Sequence, residues 1–215
     1  MGKVTDSLLS GVTGKVGNLV IYKQNGKTFI KQLATRSGKY KPSKKQIYSN
    51  RAFVKVQQFL LPIESVLSKG FERFTSGGKR GIHLAMSWAL KHAVENEEGI
   101  PQLYPEKVKV CDGDLNLSSG LKLVKNEENC YSLTWIADEH GRAKNSDFFW
   151  MLIYNPTSKR YQLIDNGIYR KRGFIQFSLN SNIDPAGAYV YVSFYRVFKG
   201  KSPEFSGSFC LGLMQ

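Results

Sequence analysis

The chain has 215 residues, of which 41% are hydrophobic, 22% charged and 13% aromatic; this supports a sizeable core and excludes disorder along most of its length. Its formal net charge is +14, and residues 1–45 hold ten Lys and Arg against one acid, Asp6. So basic a segment attracts a polyanion (nucleic acid, anionic lipid or an acidic protein face), unless it is simply a solvated surface.

In chain order, Lys3 is followed by Leu8-Leu9, soon broken by Ser10 and Gly11, so no cleavable secretory signal is expected. Gly11, Gly14 and Gly17 suggest a tight, irregular entry. Residues 16–22 and 28–34 then read as two strands around Asn25-Gly26, whose tolerance of positive φ suits a type I′ hairpin turn. Gly26-Lys27-Thr28 looks like the end of a phosphate loop. The required first glycine would stand at residue 21, which is Ile, and a strand rather than a helix follows.

Residues 36–46 form an exposed basic loop, and Ser43 with Gln46 is a capping-box pattern that starts a helix. Ile47, Phe53, Val54, Phe59, Leu60, Ile63 and Leu67 carry that helix to about residue 68, with a kink or break at Pro62. The cluster 75–81 interrupts the chain, 82–94 reads as a second helix, and residues 95–105 read as a linker. From residue 106 the period changes to two, with strands expected at 107–111, 121–125, 130–137, 147–154, 160–165, 173–179, 187–196 and 205–213. The run Phe148–Tyr154 is too short to span a membrane and reads as a central strand buried on both faces.

The expected fold is therefore α+β and mainly β. A basic hairpin-helix module over 1–102 precedes an antiparallel β-sandwich of immunoglobulin or fibronectin-III type over 103–215.

The chemistry-bearing residues do not form a catalytic pattern. His83 and His92 are too far apart for a close metal-binding pair on one helix, and His140 stands alone. Cys111, Cys130 and Cys210 lack CxxC spacing and are either one bridge with a spare thiol or three free thiols. Asp112, Asp114 and Asn116 have the alternate spacing of a calcium loop, but the bidentate glutamate position is Leu123. Tyr169-Arg170-Lys171-Arg172 reads as an exposed turn. No catalytic, cofactor-binding or metal-binding residue is assigned, no cofactor is expected, and no small-molecule substrate is indicated.

One candidate polyanion-binding surface stands out: Arg36, Lys39, Tyr40, Lys41, Lys44, Lys45, Arg51 and Lys55. The cations could follow a phosphate backbone while Tyr40 stacks on a base.

The pattern Gly11-x-x-Gly14-Lys15-Val16-Gly17-Asn18-Leu19-Val20, then Gly26-Lys27, Pro42-Ser43-x-x-Gln46 and Arg51-x-Phe53, resembles a bacterial family of unknown function. Later anchors of the same resemblance are Asp147, Tyr154-Asn155-Pro156, Ser206-x-Ser208 and Leu211-Gly212. Thr13 and Ser43 stand where that family has Ser and Thr, and both keep a hydroxyl. The resemblance implies a short hairpin, a capped helix and a C-terminal β-domain, and it carries over no activity. The first third is also similar to small proteins of phage-like or mobile elements.

The expectation is a non-enzymatic structural or interaction protein with a protein partner or self-association. It would be cytoplasmic, with leaderless export or a virion-like assembly left open. The alternative is a nucleic-acid-binding protein using residues 36–55.

Overall fold

A computed structural model of the chain describes residues 2–4, 12–24, 26–33, 41–127 and 129–214. The fold is α+β and mainly β, with a small N-terminal sheet and one long helix. Its compact units are Met1–Ser43 and Lys44–Gln215. The division expected at 102/103 is thus displaced, because the helices after Lys44 share a core with the C-terminal strands.

The first unit is one antiparallel sheet made of β1 (Gly2–Val4), β2 (Gly14–Val16), β3 (Leu19–Gln24) and β4 (Lys27–Gln32), in the order β1-β4-β3-β2. The hairpin read from the sequence is β3-β4, with Gln24 opposite Lys27 and Gly26 at φ +71°. Asn25 lies outside the described residues. The glycine-rich entry is itself a strand: β2 turns into β3 through Gly17-Asn18, and Gly17 takes the positive φ of +56° that a two-residue hairpin loop demands at its first position.

The second unit opens with α1 (Lys44–Leu60). Pro62 removes an amide donor, and a single 3-10 turn over Leu61–Ile63 leads into α2 (Glu64–Gly70), so the break at the proline falls where the sequence places it. After α3 (Gly81–His92), the expected linker is instead a hairpin, β5 (Val94–Glu97) with β6 (Ile100–Leu103). Glu98 and Gly99, at φ +51° and +85°, close it. Residues 107–111, expected as a strand, have no regular structure beyond the 3-10 turn Pro105–Lys107.

The remaining strands are β7 (Lys122–Glu127), β8 (Cys130–Thr134), β9 (Phe148–Asn155), β10 (Arg160–Ile164), β11 (Phe174–Ser178), β12 (Tyr189–Arg196), β13 (Glu204–Phe205) and β14 (Phe209–Leu213). They form a sheet β10-β9-β12 with β13 and β14 both on the far side of β12, and a sheet β11-β8-β7. Every ladder between these strands is antiparallel.

Strand alternation divides the interior in two. Phe149, Met151 and Ile153 of β9 and Val190, Val192 and Phe194 of β12 meet Tyr131, Leu133, Ile175 and Phe177 of the smaller sheet. The intervening residues Trp150, Leu152, Tyr154 and Tyr191 meet Val56, Phe59 and Leu60 of α1, Leu67 of α2 and Ala85 and Ala89 of α3. The helices therefore cover one face of the larger sheet and the smaller sheet covers the other.

Close backbone approach fixes the α2–α3 corner. A Cβ on Gly81 would run into the Leu67 carbonyl, lying 2.7 Å from its carbon and 3.0 Å from Ser68 Cα. Alanine gains up to about 1 kcal/mol of helix propensity over glycine, but overpacking against a backbone atom costs about 1–3 kcal/mol. Gly81→Ala should therefore lower stability by about 1–2 kcal/mol, read as a reduced urea midpoint with an unchanged m-value.

Candidate interaction surfaces

The first unit's sheet has two chemically distinct faces. Directly paired residues of an antiparallel ladder point the same way, and residues two apart share a face. The pairs Lys15–Val20, Val20–Lys31, Tyr22–Phe29 and Gln24–Lys27 therefore lie on one side. The Tyr22 and Phe29 rings stack there with centroids 5.7 Å apart and 25° between planes, and Lys31 Nζ stands 5.2 Å from the Tyr22 centroid. The opposite side carries Val16, Leu19, Ile21 and Ile30, with Lys23, Thr28 and Gln32 towards its ends. Ile21 is buried, while Val16 is 59% and Leu19 45% exposed, so the β2-β3 end of this aliphatic face meets solvent.

The residues singled out as a polyanion surface divide among three places. Arg36, Lys39 and Tyr40 lie outside the described residues. Lys41 is exposed in the first unit. In the second unit, Lys44, Lys45 and Arg51 line an open cavity of about 640 Å³ between the first turns of α1 and the β5-β6 hairpin, together with Tyr48, Asn96 and Gly99. Lys55 points elsewhere and donates a 2.9 Å hydrogen bond to Gln102 Oε1.

The other candidate groups have structural partners. His83 Nδ1 accepts the Arg80 amide at 3.2 Å, closing the start of α3, and His92 stacks on Trp88 at 3.9 Å near its end. His140 pairs with Asp138 at 3.0 Å. Asp112 engages Lys109, Asp114 engages Arg73 and Arg142, and Asn116 Oδ1 accepts the Arg142 amide at 2.8 Å. These side chains thus answer to neighbouring cations and an amide. No group of three His, Cys, Asp or Glu side chains among the described residues is arranged to hold a metal ion. The three cysteines are free. Burial pushes the Cys111 thiol up to about 12, so it stays protonated and unreactive at neutral pH.

The Tyr169–Arg172 segment is where sequence reasoning went furthest astray. Arg170 is fully buried, whereas Lys171 and Arg172 are exposed. Its guanidinium donates to Ser118 Oγ and to the Asn116 carbonyl, each at 2.6 Å, and sits 4.1 Å from the Phe194 ring. The equally buried Asp147 lies 3.6 Å from its Nε and accepts from Arg196 at 2.7 Å and from the Lys144 amide at 2.8 Å. Desolvation pulls the Arg170 guanidinium below its ordinary value, while Asp147 and Asp138 push back. The cluster is closed within the second unit and largely taken up by its own partners, with Arg170 Nε and Asp138 Oδ1 in ion-pair range of the opposite charge but without a hydrogen bond, and it ties separate segments of the fold together. No local sequence signal marks which arginine of a basic run turns inward.

No helix among the described residues is long and apolar enough to cross a membrane. Compared with protein-family models, with curated proteins and with solved structures, the chain matches none.

Asp147 offers a sharp contrast with the surface pairs. Removing one partner of a buried pair strands the other charge at a cost of about 3–5 kcal/mol, whereas half-exposed pairs contribute about 1 kcal/mol or less. Asp147→Asn should therefore lower the urea unfolding free energy by about 3–5 kcal/mol, and Arg142→Gln by about 1 kcal/mol or less.

Proposed function

We propose that the chain is a non-enzymatic interaction protein whose N-terminal sheet is its contact element. The observation that carries this reading is the exposed Val16–Leu19 end of an aliphatic sheet face in so small a unit. A thin sheet of few strands gains stability by covering its apolar face, and a second copy or another protein can supply the cover. The ion pairs of the second unit fit a scaffold, since they join its own segments to one another.

Within that reading, residues 103–215 are an immunoglobulin- or fibronectin-III-like sandwich, with the helices of the same unit added to one face. The antiparallel orders β7-β8-β11 and β10-β9-β12-β14, sharing one core, support it. Membership of the bacterial family of unknown function, a phage-like or mobile-element setting and a cytoplasmic location are further parts of the proposal, resting on the motifs between Gly11 and Phe53 and their C-terminal counterparts. A second reading, nucleic-acid binding through the 36–55 surface, rests on Lys44, Lys45 and Arg51 lining one cavity.

Self-association is measured by size exclusion with light scattering over a hundredfold concentration range. Wild type should shift towards a dimer or larger species as concentration rises. Val16→Ser with Leu19→Ser should remain monomeric throughout with unchanged circular dichroism. A wild-type monomer at every concentration that also recovers no protein partner would defeat the proposal.

A further inference from the structure

We propose that the opposite, aromatic-basic face of the first unit's sheet is a seat for single-stranded nucleic acid. Two bases would stack on Tyr22 and Phe29, and Lys15, Lys31 and Lys27 would meet the flanking phosphates. This goes beyond the contact role argued for the aliphatic face and uses different residues.

The platform follows from register. Tyr22 and Phe29 are direct partners on neighbouring strands, and their half-buried rings stack against each other, 5.7 Å between centroids and 25° from parallel. One step of the pleat along the strands, two residues or about 7 Å, brings the row Lys15–Val20–Lys31 on one side and Gln24–Lys27 on the other. Cations thus stand on both sides of an aromatic pair, as a strand crossing the rings would require of its backbone contacts. Aromatic residues on a sheet surface stack two or three splayed bases, and every base has a π-face to offer. A duplex keeps its bases stacked inside, so this geometry selects single strands.

Charge complementarity points the same way. Among the described residues of the first unit there is no Asp or Glu, and Lys15, Lys27 and Lys31 form no ion pair with any of those residues; Asp6 lies outside the described residues. In the second unit, by comparison, Lys69, Lys107 and Lys109 pair with Asp165, Glu95 and Asp112. A lipid headgroup would use the ammonium groups alone and would be indifferent to the loss of one ring. A nucleic acid would not.

The test uses the full chain and a fluorescein-labelled oligothymidylate of about 20 nucleotides, read by anisotropy between about 50 and 200 mM salt. Binding should weaken steeply with salt. Lys15→Gln with Lys31→Gln should reduce the log–log salt slope by about 1.4, two phosphate contacts at about 0.7 each for a single strand. Phe29→Leu, which keeps an apolar strand residue, should lower affinity about tenfold while leaving the slope unchanged. Lys44→Glu with Lys45→Glu and Arg51→Glu should lower affinity less than the sheet variants do, and Val16→Ser with Leu19→Ser should alter association state without altering oligonucleotide affinity. Absence of binding at the lowest salt overturns the proposal. So does binding that Phe29→Leu leaves untouched and that heparin or phosphatidylglycerol vesicles reproduce, or a loss of binding confined to the Lys44, Lys45 and Arg51 variant.

Discussion

The second unit depends on one pair of strands that is covered on both faces. β9 and β12 run antiparallel from Phe148 opposite Tyr195 to Tyr154 opposite Tyr189, and nearly every side chain between is buried. Alternation sends Phe149, Met151 and Ile153 to one side and Trp150, Leu152 and Tyr154 to the other. A strand of this composition cannot tolerate water on either side, because each exposed aromatic or branched side chain forfeits about 1.5–3 kcal/mol of burial. Two covers are therefore compulsory. The smaller sheet is one and the helical segment 44–92 is the other, so those helices belong to the same compact unit as the strands. Tyr154 makes the joint explicit, donating its hydroxyl hydrogen to the Phe59 carbonyl of α1 at 2.8 Å.

Charge enters this interior near the Phe148 end of β9, and there it is tightly partnered. Arg170, in the 3-10 turn after β10, reaches Ser118 and Asn116 on the segment before β7, while Asp147 ties it to Arg196 at the end of β12. Trp135 Nε1 donates to the Arg170 carbonyl at 2.7 Å. A buried ion pair adds little net stability over an apolar replacement, since desolvation consumes most of the Coulomb gain. Its effect here is on register. Sliding β9 by one residue would leave Asp147, Arg170 and Arg196 mismatched in a dry interior, in addition to inverting every side chain.

Most strands after residue 120 are legible in the sequence, because short apolar or alternating runs there are bounded by turn residues, as with the unbroken apolar run at 148–154 and the alternation at 189–196. Pro62 was legible because its effect is local. The β5-β6 hairpin was not, since Val94-Glu-Asn-Glu97 is polar and Pro101 lies within its second strand; neither has the alternating apolar residues that announce a strand. Arg170 was misread because a run of three basic residues ordinarily stays in water. Only the tertiary partners Asp147 and Ser118, 23 and 52 positions away, decide that one of them does not. The Tyr22–Phe29 pair needed register: both strands were foreseen, but which residues stand opposite each other depends on the turn that joins them.

The placement of the first unit's lysines bears on what the sheet is for. Lysines on edge strands are a common device against edge-to-edge aggregation, and Lys15 on β2 sits where that device operates. Lys27 and Lys31 do not, because β4 is an interior strand with β1 and β3 on either side. Protection of an edge therefore leaves two of the three cations on this face without a reason. Folding supplies a partial one for Lys31, whose ammonium stands over the Tyr22 ring, while the cross-strand partner of Lys27 is Gln24 rather than an acid. Lys27 thus answers neither to an edge nor to a cross-strand acid, and Lys31 is held against the aromatic pair that the same face presents.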